Sequence, residues 1–349
     1  MARAPRTPTK TATIRDVARV AKTSTTTVSY VLSNEKRYIR PELRERVIQA
    51  AEQVGYVKNA AASSIKGKQK KVLAVVVAQF GNTFFTRMCV EIVSIARQAG
   101  YVVMLCNSDE DPEQEKEIIQ RLIAQRIDGC IVSPALSQID NLALLQKQHI
   151  PYVVLERSVP GAITDHNFVS HDNVQSAYLA TRHLLDAGHR HIAFVAWDSP
   201  IPNVRERVEG YRAALREFGV VPREDYILNG PLAESAGVEI AERLSTLPVT
   251  AIVFAQHDLA KGALRYFQNN GIRWPDDYSF VVVGTPEWAE VIVPHVTCIQ
   301  RPEQQMARAA ASLLLHAIQD PDRPTEQHVF PSTLVESQSV RSIETAHHE

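Results

Sequence analysis

The chain has 349 residues, 45% of them hydrophobic, which suits two or three folded domains and excludes general disorder. The longest apolar runs, VLAVVVA at 72–78 and HIAFVAW at 191–197, fall well short of the roughly 20 residues of a membrane span, so a soluble, cytoplasmic protein with no membrane partner is expected. The net charge of −1 hides a division: residues 1–71 hold sixteen basic and five acidic residues, whereas the remainder holds 22 basic and 34 acidic. Such segregation points to a polyanionic partner for the first segment.

Residues 1–12 read as a flexible basic arm, because no apolar segment follows their positive charge as a secretory signal would require. Thr13 can cap a helix over about 14–21, with Ile14, Val17, Ala18 and Ala21 on one face. Lys22, Thr23 and Ser24 make a turn, and Ser24 can cap a second helix whose buried stripe is Val28, Val31 and Leu32. Thr25, Thr26, Ser29 and Tyr30 are left largely outside, where hydroxyls can meet base edges or phosphates. PELRERVIQAAEQVG at 41–55 predicts a third helix, opened by Pro41 and closed by Gly55. A generic three-helix bundle is the plain alternative; the polar face and strong positive charge favour a nucleic-acid reader.

TIRDVARVAKTSTTTVSYVLSN followed by RPELRERVIQAAEQVGYVKNAAASSIKG resembles the DNA-binding headpiece and hinge of the lactose-repressor/galactose-repressor family. The resemblance implies an all-α helix-turn-helix domain over 13–58 and a hinge helix and linker over 59–71. It places Ser24, Thr25, Thr26, Thr27, Ser29, Tyr30, Asn34, Tyr56, Asn59, Ala62, Ile65 and Lys66 at DNA-facing positions, with Thr25, Thr26 and Tyr30 facing the bases. Ile65 matches the leucine that the family inserts into the minor groove; being branched nearer the backbone, it reaches less deeply. Tyr30 stands where the family commonly has Arg, and Lys22 replaces its usual turn Gly, so a different operator is expected.

From residue 72 onward, β-prone runs at 72–78, 101–108, 129–134, 152–158, 191–197, 251–255 and 280–284 alternate with helical patterns near 86–98, 113–126, 174–187, 206–218, 235–246 and 258–269. This predicts layered α/β structure with buried parallel strands. NTFF, NSDEDPEQE, DGCIVSP, GHRHIAF, RERVEGYRAAL and RPEQQMARAAASLLL carry the family resemblance to about residue 336. It implies a periplasmic-binding-protein-like sensory module over 72–336, with subdomain one at 72–172 plus 300–336, subdomain two at 173–299, and a polar tail at 337–349. It also implies a homodimer that brings two headpieces to operator double-stranded DNA and a small-molecule effector held between the subdomains.

Ends of parallel strands are favoured ligand positions, which makes Asn82, Phe84, Phe85 and Arg157 candidates. Trp197 is a candidate to stack on a sugar ring, with core packing as the alternative. By resemblance, Arg207 is the ligand-facing arginine before GYRAAL; a surface salt bridge is its other reading. Gln256 and His257 stand where the family usually has Asn and Asp, and Gly284 where it commonly has a ligand-binding Asp. Losing that carboxylate removes acceptors for sugar hydroxyls, so a sugar acid or sugar phosphate is preferred to a neutral sugar. His257 also reads as a helix-terminal surface residue.

No Gly-rich nucleotide fingerprint or phosphate loop occurs, and neither His189 with His191 nor His347 with His348 has further ligands at metal-binding spacing. Cys89, Cys106, Cys130 and Cys298 read as reduced, mostly buried thiols. No nucleophile, base and orienting group can be assembled from spacing, so neither an enzyme, a cofactor nor a metal is expected. The reading is a dimeric, effector-controlled transcriptional repressor; the alternative is a sugar-binding protein or enzyme using the same cleft.

Overall fold

The structure, a computed structural model, describes residues 12–33, 38–57, 70–137, 140–157 and 166–343. The expected arm through residue 11, Asn34, the hinge positions Asn59, Ala62, Ile65 and Lys66, and the tail beyond 343 lie outside the described residues. Two compact units divide the chain, one ahead of Lys71 and one from Lys71 onward.

The first unit comprises α1 (Ile14–Val20), α2 (Thr25–Leu32) and α3 (Pro41–Gln53). Helices this short are marginal alone, so mutual burial of Val17, Ala21, Val28, Val31, Val47 and Ala50 holds them. Their ends are specified locally. The Asp16 carboxylate accepts from the Thr13 N–H at 3.0 Å and from its hydroxyl at 2.7 Å. Ser24 Oγ accepts from the Thr27 N–H at 3.1 Å. Arg46 Nε donates to the Ala21 carbonyl at 3.0 Å, tying α3 to the turn. In that turn Lys22 adopts φ 50°, a left-handed conformation costing roughly 1–2 kcal/mol for a residue with a Cβ, which is the physical reason glycine suits the position.

The second unit begins with β1 (Val72–Val77), α4 (Thr83–Gln98), β2 (Val102–Asn107), α5 (Pro112–Ala124), β3 (Gly129–Val132), α6 (Asp140–Lys147), β4 (Tyr152–Leu155) and β5 (Asn167–His171). It continues with α7 (Asn173–Asp186), β6 (Ile192–Trp197), α8 (Pro202–Glu217), β7 (Ile227–Gly230), α9 (Glu234–Leu244), β8 (Ala251–Phe254), α10 (His257–Asn269), β9 (Ser279–Val283) and β10 (Thr297–Gln300). It closes with α11 (Glu303–Gln319), β11 (Gln327–Phe330) and β12 (Thr333–Val335). One sheet runs β11-β5-β4-β3-β1-β2, all parallel; the other runs β12-β10-β9-β8-β6-β7, parallel except for the β10–β12 pair.

Period-two alternation explains why both sheets are covered on two faces. In β1, Leu73, Val75 and Val77 pack with α4 and α11, while Ala74 and Val76 pack with α5 and α6. In the second sheet, Val195, Phe254 and Phe280 meet α9 and α10, and Phe194, Val253 and Val281 meet α7 and α8. Each of these buried Val, Leu and Phe side chains contributes about 1.5–3 kcal/mol. At the crossing of α9 and α10, a Cβ on Gly262 would stand 2.0 Å from the Glu234 carbonyl oxygen, so the helices approach through backbone.

The chain passes between the sheets at 172, between β5 and α7, and at 301–302, between β10 and α11. A third passage at 331–332 corrects the expected subdomain boundaries, because β12 pairs antiparallel with β10 in the second sheet instead of joining the first. Ser332 anchors it, with its hydroxyl 2.9 Å from that of Ser176. The expected polar tail is also corrected over 337–343. Ser339 is fully buried, donating to the Phe280 carbonyl at 2.6 Å and accepting from the Thr297 N–H at 2.9 Å, so hydrogen bonds replace the water a tail would need. The helix expected at 206–218 starts earlier, at Pro202, a residue suited to a first turn.

Candidate functional site

On the headpiece, Ser24, Thr25 and Thr26 are exposed, and Thr27, Ser29 and Tyr30 are half-buried. The Thr27 hydroxyl lies 2.9 Å from Ser24 Oγ, so these two side chains serve the start of α2, whereas Thr25 and Thr26 project from its first turn. Tyr56, expected to face DNA, packs against the three-helix core.

Within the second unit, a cleft between the two sheets is lined by Asn82, Phe84 and Phe85 at the start of α4, Arg157 beyond β4, Trp197 at the end of β6, Arg207 on α8 and Gln256 ahead of α10. It holds about 450 Å³ of empty space, open mouth included. Of the nine residues expected there, His257 and Gly284 do not line it. His257, the first residue of α10, is buried rather than on the surface, and Gly284 lies behind Arg301. Gln79, Glu110, Glu156, Ile201, Asn203, Leu232 and Arg301 also line the cleft and were not singled out from sequence.

Each cleft arginine has a different environment. Arg157 is forked onto Glu110, with Nη1 at 2.6 Å from Oε2, and also donates to the Pro134 carbonyl at 3.0 Å. Arg207 Nε donates to Asn173 Oδ1 and Nη1 to the Ala255 carbonyl, both at 2.9 Å, and Nη2 lies 3.7 Å from Glu156. Its alternative reading as a surface salt bridge is therefore overturned: the residue is 4% exposed. Burial, then the charge of Arg301, pushes its pKa down to about 10, which leaves it charged at neutral pH.

Arg301 follows β10 and is buried, its guanidinium 3.7 Å from the centre of the Phe84 ring. No hydrogen-bond partner reaches its buried Nε among the described residues. Glu156, itself at φ 69°, accepts from Asn203 Nδ2 at 3.1 Å and lies 2.8 Å from His171 Nδ1. Burial alone would raise its carboxyl, but His171, Arg207 and Arg301 outweigh that effect and hold it below the usual range. Burial first, then Arg301, Arg207 and Arg87, drive His257 down to about 3, so its imidazole is neutral. Arg157, Arg207 and Arg301 against Glu110 and Glu156 leave the lining with a surplus of one positive charge.

Among the described residues no cluster of three or more His, Cys, Asp or Glu side chains could hold a metal. No described helix is long and apolar enough to cross a membrane.

Two protein-family models match the chain: "Bacterial regulatory proteins, lacI family" over residues 13–59 and "Periplasmic binding protein-like domain" over 181–340. The HTH-type transcriptional repressor PurR of Vibrio cholerae serotype O1 is 31% identical over 337 residues, covering 95% of this chain and 99% of the relative. A LacI family transcriptional regulator from Enterococcus faecium, solved with bound ribose, is 28% identical with a TM-score of 0.71, covering 78% of this chain and all of that one. A lac repressor dimer solved with operator and the anti-inducer ONPF has the same fold at 24% identity, with a TM-score of 0.84 over 95% of this chain and all of that one.

Proposed function

The chain belongs to the lacI family of bacterial regulatory proteins, a DNA-binding transcriptional regulator rather than an enzyme, and from that membership we propose a dimeric repressor whose operator affinity is set by an acidic carbohydrate derivative in the cleft. The observation that carries the effector class is the surplus positive charge of the lining, three buried arginines against two carboxylates. Buried charge of one sign is costly unless matched, so an anionic group is favoured over a neutral sugar. A carbohydrate scaffold is supported by the ribose held by the Enterococcus faecium relative and by Trp197 at the cleft edge.

Dimerisation is supported by one uncovered apolar edge of the body. β2 is an edge strand with Val102, Met104 and Leu105 exposed, and Val90 on neighbouring α4 is 69% exposed. An uncovered apolar sheet edge is an aggregation hazard in a monomer and a ready interface for a second copy. Thr25, Thr26 and Tyr30 read base edges, with Ser24, Thr27 and Ser29 supporting the approach.

The test begins with genomic fragments enriched by the purified protein. Operator affinity is then measured with sugar acids, sugar phosphates and their neutral parent sugars. The acidic compounds should change affinity tenfold or more, equivalent to about 1.4 kcal/mol, while the neutral parents leave it unaltered. Equal action by neutral parents would remove the acidic-effector reading.

A further inference from the structure

Three of the cleft's charges already have partners: Arg157 with Glu110, Arg207 with Asn173 and Ala255, and Glu156 with His171 and Asn203. Arg301 does not. It is 7% exposed, its Nε has no hydrogen-bond acceptor, and no carboxylate of the described residues lies within ion-pair distance. The face of Phe84 supports the guanidinium but accepts no directed N–H bond. A charge so placed is expensive in an empty protein and compensated when an anion arrives.

The surroundings explain how Arg301 comes to be there. Gly284, at φ 105°, presents only its backbone, and a Cβ there would stand 3.1 Å from Arg301 Nη2. The guanidinium thus lies against backbone with no side chain in its way. On this side of the cleft the chain therefore presents a hydrogen-bond donor carrying a positive charge. His257 is held neutral nearby and adds no competing charge. Across the same lining, Asn203 Oδ1 is also buried without a partner, an acceptor awaiting a donor.

We propose that Arg301 is the anion-binding residue of the effector site, holding a carboxylate or phosphate oxygen of a ligand that also offers a hydroxyl donor to Asn203. This rests on the reading of the cleft as an effector site and assigns the anion to Arg301, not to Arg157, whose fork is occupied by Glu110. Without ligand, Arg301 is a destabilising buried charge. With ligand, it joins the second passage between the sheets to whatever fills the cleft.

The experiment uses the full-length protein and its Arg301→Gln and Arg301→Lys variants, titrated with inorganic phosphate and separately with glycolate, each against sodium chloride of equal ionic strength. Thermal unfolding is the readout. At least one oxyanion should raise the wild-type Tm saturably, and its apparent Kd should weaken about tenfold or more in Arg301→Gln, with Arg301→Lys between them. Ligand-free Arg301→Gln should unfold no lower than wild type, an outcome that a purely structural arginine would not give. Preference for phosphate or glycolate identifies the phosphate or carboxylate source.

The proposal is overturned if neither anion exceeds chloride in the wild type, or if Arg301→Gln responds as the wild type does. Measuring affinity for an enriched operator fragment in the same samples separates the two levels. Oxyanion binding through Arg301 with no change in DNA affinity supports the site and defeats the regulatory reading. An acidic ligand that shifts DNA affinity equally in wild type and Arg301→Gln defeats the site alone.

Discussion

The headpiece and the cleft both concentrate positive charge, by opposite means. In the first segment, lysines and arginines accumulate in the sequence around short helices whose polar residues remain exposed. In the cleft, three arginines are buried, and two of them are restrained by acceptors from the protein itself. Exposed charge suits a long polyanion and is screened by salt; buried charge suits one small anion and is screened far less. The contrast teaches that net charge along the sequence exposes the first basic surface, whereas only the pairing pattern in the fold exposes the second.

Salt breaks the comparison most directly. Raising it from 50 to 200 mM should weaken operator binding by about a thousandfold or more if each dimer makes six or more phosphate contacts. Effector affinity should change only a few-fold over the same range. Parallel loss of both, by fluorescence titration, would refute the buried placement of the second site.

Removing a partner within the cleft should have the next largest effect. Glu110→Gln leaves Arg157 without its counter-charge, and breaking a buried pair in this way costs about 3–5 kcal/mol of stability. Denaturant unfolding measures that loss. Acidic ligands should recover part of it.

On the headpiece, Thr25→Ala or Tyr30→Ala should alter discrimination among operator variants by about 1–3 kcal/mol without changing sedimentation of the dimer. Identical affinities of wild type and variants for every duplex would remove these residues from base reading.

At neutral pH the smallest effect is that of His257, which emerges only on acidification, and its direction is fixed by linkage. Its folded pKa, about 3, lies below the ordinary 6.5, so the unfolded chain takes up the proton first. Stability is therefore complete above pH 6.5 and declines as pH falls toward 3, by about 1.4 kcal/mol per pH unit once well below the unfolded value. His257→Gln should flatten the difference in unfolding free energy over that window.

Much of this architecture was legible in the sequence, for identifiable reasons. VLAVVVA and FVVVG announce strands buried on both faces, and Thr13, Ser24 and Pro41 announce helix starts through local chemistry. The short strands NFVSH, ILNG and TCIQ were not identified, because polar residues within four or five positions erase the apolar signal. The third passage escaped for a related reason: TLV alone cannot reveal which sheet it joins. Strand ends and resemblance single out Asn82, Phe84 and Arg207, and all three line the cleft. Arg301 stands inside RPEQQMARAAASLLL with no local signal of its role, since its isolation depends on Phe84 and Gly284, brought beside it only by the fold.

The central claim is that occupancy of the cleft and grip on DNA are one linked equilibrium, and linkage requires reciprocity. The decisive measurement is the Kd of the full-length protein for the acidic ligand that most alters operator affinity, with and without saturating operator. Linked sites require a change of at least about fivefold, by the same factor that the ligand changes operator Kd. A factor of one in the presence of operator, with the ligand still bound in the cleft, would contradict it.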